Sequence, residues 1–365
     1  MALTPPVTIL SLVHNRIRPE KLFKEDTDDP PIHRAPQSST SWSAKLMKPV
    51  VVALERPVED YLRMYANFHN VTQQRATSSE LANNVQQIWT RLNTEHHLLT
   101  DHSASIISEH DVVRESAKHI LHPVYQVMVL FGAVKSADRH DGVHFEVRTI
   151  GESEVTSMDE VMVDGAPAML EGRPDMLLVR CATGQQPIKS GGRRGAAEEI
   201  NSRSFCAFEY KNAHVLDRLS WKKAIKPVSG RPLVIAGAEG ARRARGSAKR
   251  TFLDGRCVAV FKQAILYAIL ERTKHVVLYD SKSIVLLKFS GMHIDHTSTV
   301  EDLISRGVGD WCQATFIPID DQPLLQDNDR SYSGGQLALQ ALLGFFFEAM
   351  EDTPRDSKQD GTLGV

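Results

Sequence analysis

Side chains along residues 204–211 point alternately to the two sides of an extended chain, so that Phe205, Ala207, Glu209 and Lys211 fall on one face and Cys206, Phe208 and Tyr210 on the other. Apolar residues occupy both faces, which predicts a strand covered on both sides. Residues 176–179 predict a second apolar strand, with Asp175 at its entrance and Pro174 holding the backbone just before it. Over residues 257–274 the period lengthens to that of a helix. Val260, Ala264, Ile265, Ala268 and Ile269 form its apolar face, and Gln263 and Tyr267, one turn apart, share one side. Residues 275–280 and 284–289, separated by a polar turn, predict a pair of strands.

Helical periodicity also covers residues 58–68, 79–99 and 109–128, while 300–305 predicts a short helix and 314–318 a strand. Residues 336–350 place Leu337, Leu339, Leu342, Leu343, Phe345, Phe346, Phe347 and Met350 around most of a helix, which must therefore be buried. Core packing and a homodimer interface both satisfy that demand. Pro, Ser, Thr and Asp dominate residues 25–43 and predict disorder, as does the polar run 352–365. The organisation predicted is an α/β (α+β) fold: a disordered arm over 1–50, a helical region over 51–104, a central mixed sheet flanked by helices over 105–320, a C-terminal packing helix over 321–351 and a tail over 352–365.

An acid and an amine are costly on a doubly covered strand unless they are paired or hold a metal ion. Glu209 and Lys211 stand side by side on such a strand, and Asp175 offers a second carboxylate at the mouth of another. Simpler readings compete: Asp175 opening a turn after Pro174, Glu209 and Lys211 as an exposed pair on an edge strand, Gln263 and Tyr267 as ordinary helix surface.

The order of these elements is Gly172-Arg173-Pro174-Asp175, then Glu209-Tyr210-Lys211, then a helix bearing Gln263 and Tyr267, then a strand pair. In that order the chain resembles the PD-(D/E)XK, or restriction-endonuclease-like, nuclease superfamily. Its Gly-x-x-Asp and Gln-x-x-x-Tyr elements resemble the RecB-like branch. The resemblance spans roughly residues 105–290 and implies a restriction-endonuclease-like core that hydrolyses phosphodiesters of DNA, with RNA as the alternative substrate. It implies Mg²⁺ or Mn²⁺ held by Asp175, Glu209 and the backbone carbonyl of Tyr210. Lys211 would orient or deprotonate the attacking water, or stabilise charge on the phosphate. Gln263 would position Lys211 or the phosphate, Tyr267 would contact the nucleic-acid backbone, and Glu115 would be an additional catalytic acid. The spacer between Asp175 and Glu209 is longer than the family's usual hairpin and implies an insertion around 182–203; a mispaired hairpin would move the role of Asp175 to Asp164 or Glu171.

Charge changes the picture further. Residues 189–250 hold 15 Lys or Arg against 5 Asp or Glu, a net of +10, so with −2 overall the remainder carries −12. Arg193 with Arg194, Lys222 with Lys223, and Arg242, Arg243, Arg245, Lys249 and Arg250 form the clusters, a pattern suited to phosphate backbones. Trp221 beside Lys222 is a candidate for stacking on a base. A solvated loop around 191–195 and a nuclear-localisation signal over 242–250 are the competing readings, and the latter places the protein in the nucleus. No apolar run approaches membrane-spanning length, so no membrane partner is expected. Cys181, Cys206, Cys257 and Cys312 form no Cys-x-x-Cys pair and suit a reducing, intracellular compartment. Six histidines between His96 and His122 lack a ligand spacing. The rival to a nuclease is an inactive protein of the same fold that binds nucleic acid or acts as an interaction partner.

Overall fold

A computed structural model of the chain describes residues 39–75, 120–121, 124–125, 127–128, 145–151, 157–163, 166–182, 202–211, 215–228, 236, 239, 242, 251–253, 255–280, 282–294, 298–319, 323–327 and 330–353. The doubly apolar run forms β6 (Ser202–Tyr210), buried from Ser204 onward. It pairs antiparallel with β5 (Met176–Ala182) and parallel with β8 (His275–Tyr279). Beyond β5 lies β2 (Phe145–Gly151), and beyond β8 come β9 (Ser283–Lys288), β10 (Trp311–Pro318), β1 (Val52–Glu55) and β7 (Ile225–Lys226). The result is a mixed eight-stranded sheet in the order β2-β5-β6-β8-β9-β10-β1-β7.

Parallel neighbours need a crossover between them. For β6 and β8 it includes α3 (Arg218–Ala224) and the apolar helix α4 (Gly255–Leu270). Past Leu270 the chain turns away through Arg272, whose φ of 50° ends the helical geometry, and β8 begins three residues later.

Two layers of apolar side chains cover the sheet. On one face α2 (Val58–Arg75) and α6 (Gly334–Asp352) bring Tyr61, Phe345 and Phe346 into one cluster with Phe208, Val277 and Leu286. On the other, Phe261, Ile265 and Leu266 of α4 join Ala207, Val276 and Leu287, flanked by α1 (Ser39–Leu46) and α5 (Val300–Arg306). α5 starts with a capping box between Thr299 and Asp302. α6 packs so tightly on α2 that a Cβ at Gly344 would overlap the Tyr61 carbonyl. Its apolar side chains from Leu337 to Met350 are buried inside this one chain, so core packing accounts for them.

A partly buried ionic network crosses the α6 face. Arg56 Nη1 donates to both carboxylate oxygens of Glu348 at 2.8 and 2.7 Å and to Gln313 Oε1 at 3.0 Å, while Lys288 Nζ reaches Glu348 Oε1 at 2.8 Å and Asp352 Oδ2 at 2.5 Å. His275, paired with Lys288 across the ladder, sits beside it.

Several boundaries differ from those predicted. β1 falls in the region predicted to be helical and is an integral strand of the sheet; α1 falls in the predicted arm and packs on α4. Two hairpins, β3 (Ser157–Val163) with β4 (Ala166–Gly172) and β11 (Pro323–Asp327) with β12 (Arg330–Ser333), stand apart from the main sheet. A register shift opposite Leu178 and Val179 upsets strict alternation in β6: Phe205 joins Cys206, Phe208 and Tyr210 on the α6 side instead of sharing the face of Ala207 and Glu209. The helix predicted over 79–99, the histidines 96–119 and most of the helix over 109–128 lie outside the described residues. Among the described residues no helix is long and apolar enough to cross a membrane.

Candidate metal-dependent active site

The site lies where β5 begins and β6 ends. Met176 pairs with Phe208 in the antiparallel ladder, so Asp175, one residue earlier, stands across from Glu209, one residue later, and the two acids share the α4 side of the sheet. The predicted hairpin is thus correctly paired, and its connection is the long spacer 183–201, outside the described residues. The fallback acids are not needed for that geometry: Glu171 sits on the separate β3–β4 hairpin with its N–H donating to Ser43 Oγ, and Asp164 is outside the described residues. β6 is an interior strand and Glu209 is 4% exposed, so the reading of Glu209 and Lys211 as an edge-strand surface pair does not hold.

Three side chains, Lys211 just past β6 and Gln263 and Tyr267 of α4, close around Glu209. Lys211 Nζ donates to Glu209 Oε1 at 2.5 Å and to Gln263 Oε1 at 2.9 Å. Gln263 Nε2 donates to the same Glu209 oxygen and to Tyr267 Oη, each at 2.7 Å. Lys211, Glu209 and Gln263 therefore form a closed triangle, with Tyr267 as its outer brace. Asp175 Oδ2 accepts from the Tyr210 N–H at 2.6 Å, which fixes that carboxylate against the backbone of the Glu-x-Lys segment. Glu209 Oε2, by contrast, is buried and has no hydrogen-bond donor among the described residues. A buried charged oxygen left without a partner costs free energy that a cation would recover.

Helix α4 reaches this strand end because Gly172 has no side chain. A Cβ there would overlap Leu270 Cδ1 and lie 3.5 Å from Tyr267 Cδ1 and 3.6 Å from Leu266 Cγ. The glycine of the Gly-x-x-Asp segment therefore sets the approach of the helix that carries Gln263 and Tyr267. Burial, reinforced by the charges of Glu209 and Asp175, pushes the Tyr267 phenol well above its ordinary range, so it stays neutral.

Two of the sequence expectations are corrected here. Tyr267 is 1% exposed and its hydroxyl is engaged with Gln263, so it braces the triangle and cannot touch a nucleic-acid backbone. Trp221 is also 1% exposed and packs on Phe261 with ring centroids 5.2 Å apart, so its indole is not available to a base. Lys222 and Lys223 on the same helix α3 are exposed, as is Arg242. Glu115, Arg193, Arg194, Arg243, Arg245, Lys249 and Arg250 lie outside the described residues. Sequence reasoning missed Asp280, a fully buried carboxylate just past the end of β8, because it reads there as the polar last residue of a strand, next to a turn.

The donor set suits a hard divalent cation: Asp175 and Glu209 stand beside the paired residues Met176 and Phe208 on adjacent strands, and one Glu209 oxygen has no donor among the described residues. Among the described residues no group of three or more His, Cys, Asp and Glu side chains gathers at one point, so a cation here would rely on two acids, main-chain oxygen and water. No protein-family model and no curated protein matches the chain.

Proposed function

We propose that the protein is a Mg²⁺- or Mn²⁺-dependent nuclease that hydrolyses phosphodiester bonds of DNA. The observation that carries this reading is the orphaned Glu209 Oε2, buried across the ladder from Asp175 with the Lys211 amine on its sister oxygen. A bound divalent ion would offset phosphate charge and lower the pKa of a water. Asp175, Glu209 and the Tyr210 carbonyl would hold it. Lys211, tethered by Gln263, would present its amine toward the attacking water or the phosphate from a fixed position. Tyr267 keeps the Gln263 amide turned so that its oxygen faces Lys211 and its nitrogen faces Glu209. The exposed Lys222 and Lys223 of α3, which packs on the helix bearing Gln263, supply positive charge for the phosphate backbone. A nuclear location belongs to the same proposal.

The test is cleavage of supercoiled plasmid and single-stranded DNA with Mg²⁺, Mn²⁺ or EDTA. Cleavage that needs the metal and falls by about 10²- to 10⁴-fold in Lys211→Ala, with DNA affinity retained, is the expected result. Equal cleavage by wild type and variant would defeat the assignment. DNA binding without cleavage by wild type would leave the inactive nucleic-acid-binding reading in its place.

A further inference from the structure

The ladder that frames the site ends at Tyr210 and Tyr279, and the Lys211 N–H then donates to the Tyr279 carbonyl at 2.7 Å. Lys211 and Asp280 are thus the first residues beyond the paired strands, side by side at one sheet end. Asp280 is 0% exposed, an expensive place for a carboxylate whose oxygens are not filled. Main-chain donors fill them. Oδ1 accepts from the Lys282 N–H at 3.2 Å and closes the turn into β9; Oδ2 accepts from the Leu216 N–H at 2.8 Å.

The second bond reaches the segment that leaves Lys211. Leu216 is itself buried in the α4-side cluster, and the next residue, Asp217, caps α3 by accepting from the Ser220 N–H at 2.8 Å. The segment from Lys211 to Leu216 is therefore tied to β8 at both ends, at Tyr279 and at Asp280. A turn-closing aspartate needs only the Lys282 contact, so the bond to Leu216 calls for a separate reason.

We propose that Asp280 is a positioning residue of this site: by holding Leu216, five residues after Lys211, it places the Lys211 amine relative to the two carboxylates. It touches no reacting atom. The anchor stands on geometry alone, whereas its catalytic consequence rests on the nuclease reading.

The experiment compares full-length wild type with Asp280→Asn, which keeps the size of the side chain and one acceptor, alone and combined with Lys211→Ala. Hydrogen exchange at the Leu216 amide is followed with Val277 and Leu286 as core controls, and single-turnover DNA cleavage is measured per folded molecule. Expected are exchange at Leu216 at least tenfold faster with the controls unchanged, a cleavage rate lowered at least tenfold in the single variant, and no further loss in the Lys211→Ala background, because the effect acts through the amine. Unchanged protection of Leu216 would overturn the anchor. Faster exchange with an unchanged rate per folded molecule, or with additive losses, would overturn the positioning role and leave a structural one. If Asp280→Asn does not fold, Asp280→Ser replaces it, and failure of both to fold would also overturn the assignment. Wild type that cleaves no nucleic acid would defeat the nuclease reading, while the exchange result would still decide the anchor.

Discussion

Glu209 meets two opposite demands with its two oxygens. Oε1 takes two donors within 2.7 Å, and Oε2 takes none although it is buried. A ligand that binds only the folded protein stabilises it by mass action, about 2.7 kcal/mol at a concentration one hundred times its dissociation constant. Mn²⁺ or Mg²⁺ at that excess should therefore raise the melting temperature of wild type, and neither should do so for Glu209→Gln; a matching rise in the variant would remove Glu209 from the ligand set. Glu209 and Lys211 were legible in the sequence because charges on a doubly apolar strand stand out against their neighbours. Tyr267 and Trp221 were not, since an aromatic ring with a polar handle suits a core and a surface equally well until its neighbours are known. Gly172 was legible as part of a motif. Its physical purpose, admitting the face of α4 that carries Leu266, Tyr267 and Leu270, required the packed structure.

At the scale of elements, runs with a clear apolar pattern were read well, the short helix α5 among them, and β1 was not. β5, β6, α4, β8, β9 and α6 each carry enough apolar positions to fix their type, and together they hold the site. β1 has only four residues and owes its state to its neighbours β10 and β7, contacts that no local pattern encodes. The bulge in β6 is equally non-local: it becomes visible only when Leu178 and Val179 are set against their partners. The α2–α6 contact gives a direct stability prediction. Gly344→Ala places a methyl against the Tyr61 carbonyl and forces the helices apart, so urea unfolding should show a loss of about 1–3 kcal/mol, more if α2 cannot shift. An unchanged midpoint would mean that α2 gives way freely. Gly172→Ala should behave differently, since the atom it meets first is the far end of the Leu270 side chain: a smaller loss of stability, accompanied by slower cleavage as α4 and Gln263 are displaced from Glu209.

Over the whole molecule, two buried titratable groups tilt stability with pH in opposite senses. Burial pushes the Asp280 carboxyl up from its ordinary 3.8 to about 7, against the pull of the Leu216, Lys282 and Ser283 N–H groups and of the Lys282 charge. The folded state thus holds a proton that the unfolded state has released, and the stability contributed by this group, complete below the unfolded value, is lost as pH rises from about 4 through about 7. The slope is at most roughly 1.4 kcal/mol per pH unit. Relative to wild type, Asp280→Asn should gain stability over that interval and no more above it, as urea midpoints at several pH values would reveal. A difference that does not vary with pH would show that the carboxyl titrates near its ordinary value. His275 works the other way: burial first, then the Lys288, Arg56 and Lys274 charges, holds it neutral, so protonation of the unfolded chain destabilises the protein as pH falls below 6.5.

The pairing of β1 with β10 joins residue 52 to residue 311, across more than two thirds of the sequence. Every side chain placed at the candidate site falls between residues 172 and 280, yet that stretch is not an excisable enzyme. A fragment ending before β10 would expose the flank of β9 and remove the strand that joins β1 and β7 to the rest of the sheet, while loss of α6 would uncover the rear of the very strand that bears Glu209. Early termination before β10 or proteolytic loss of α6 should therefore silence the candidate site outright instead of releasing a smaller active form.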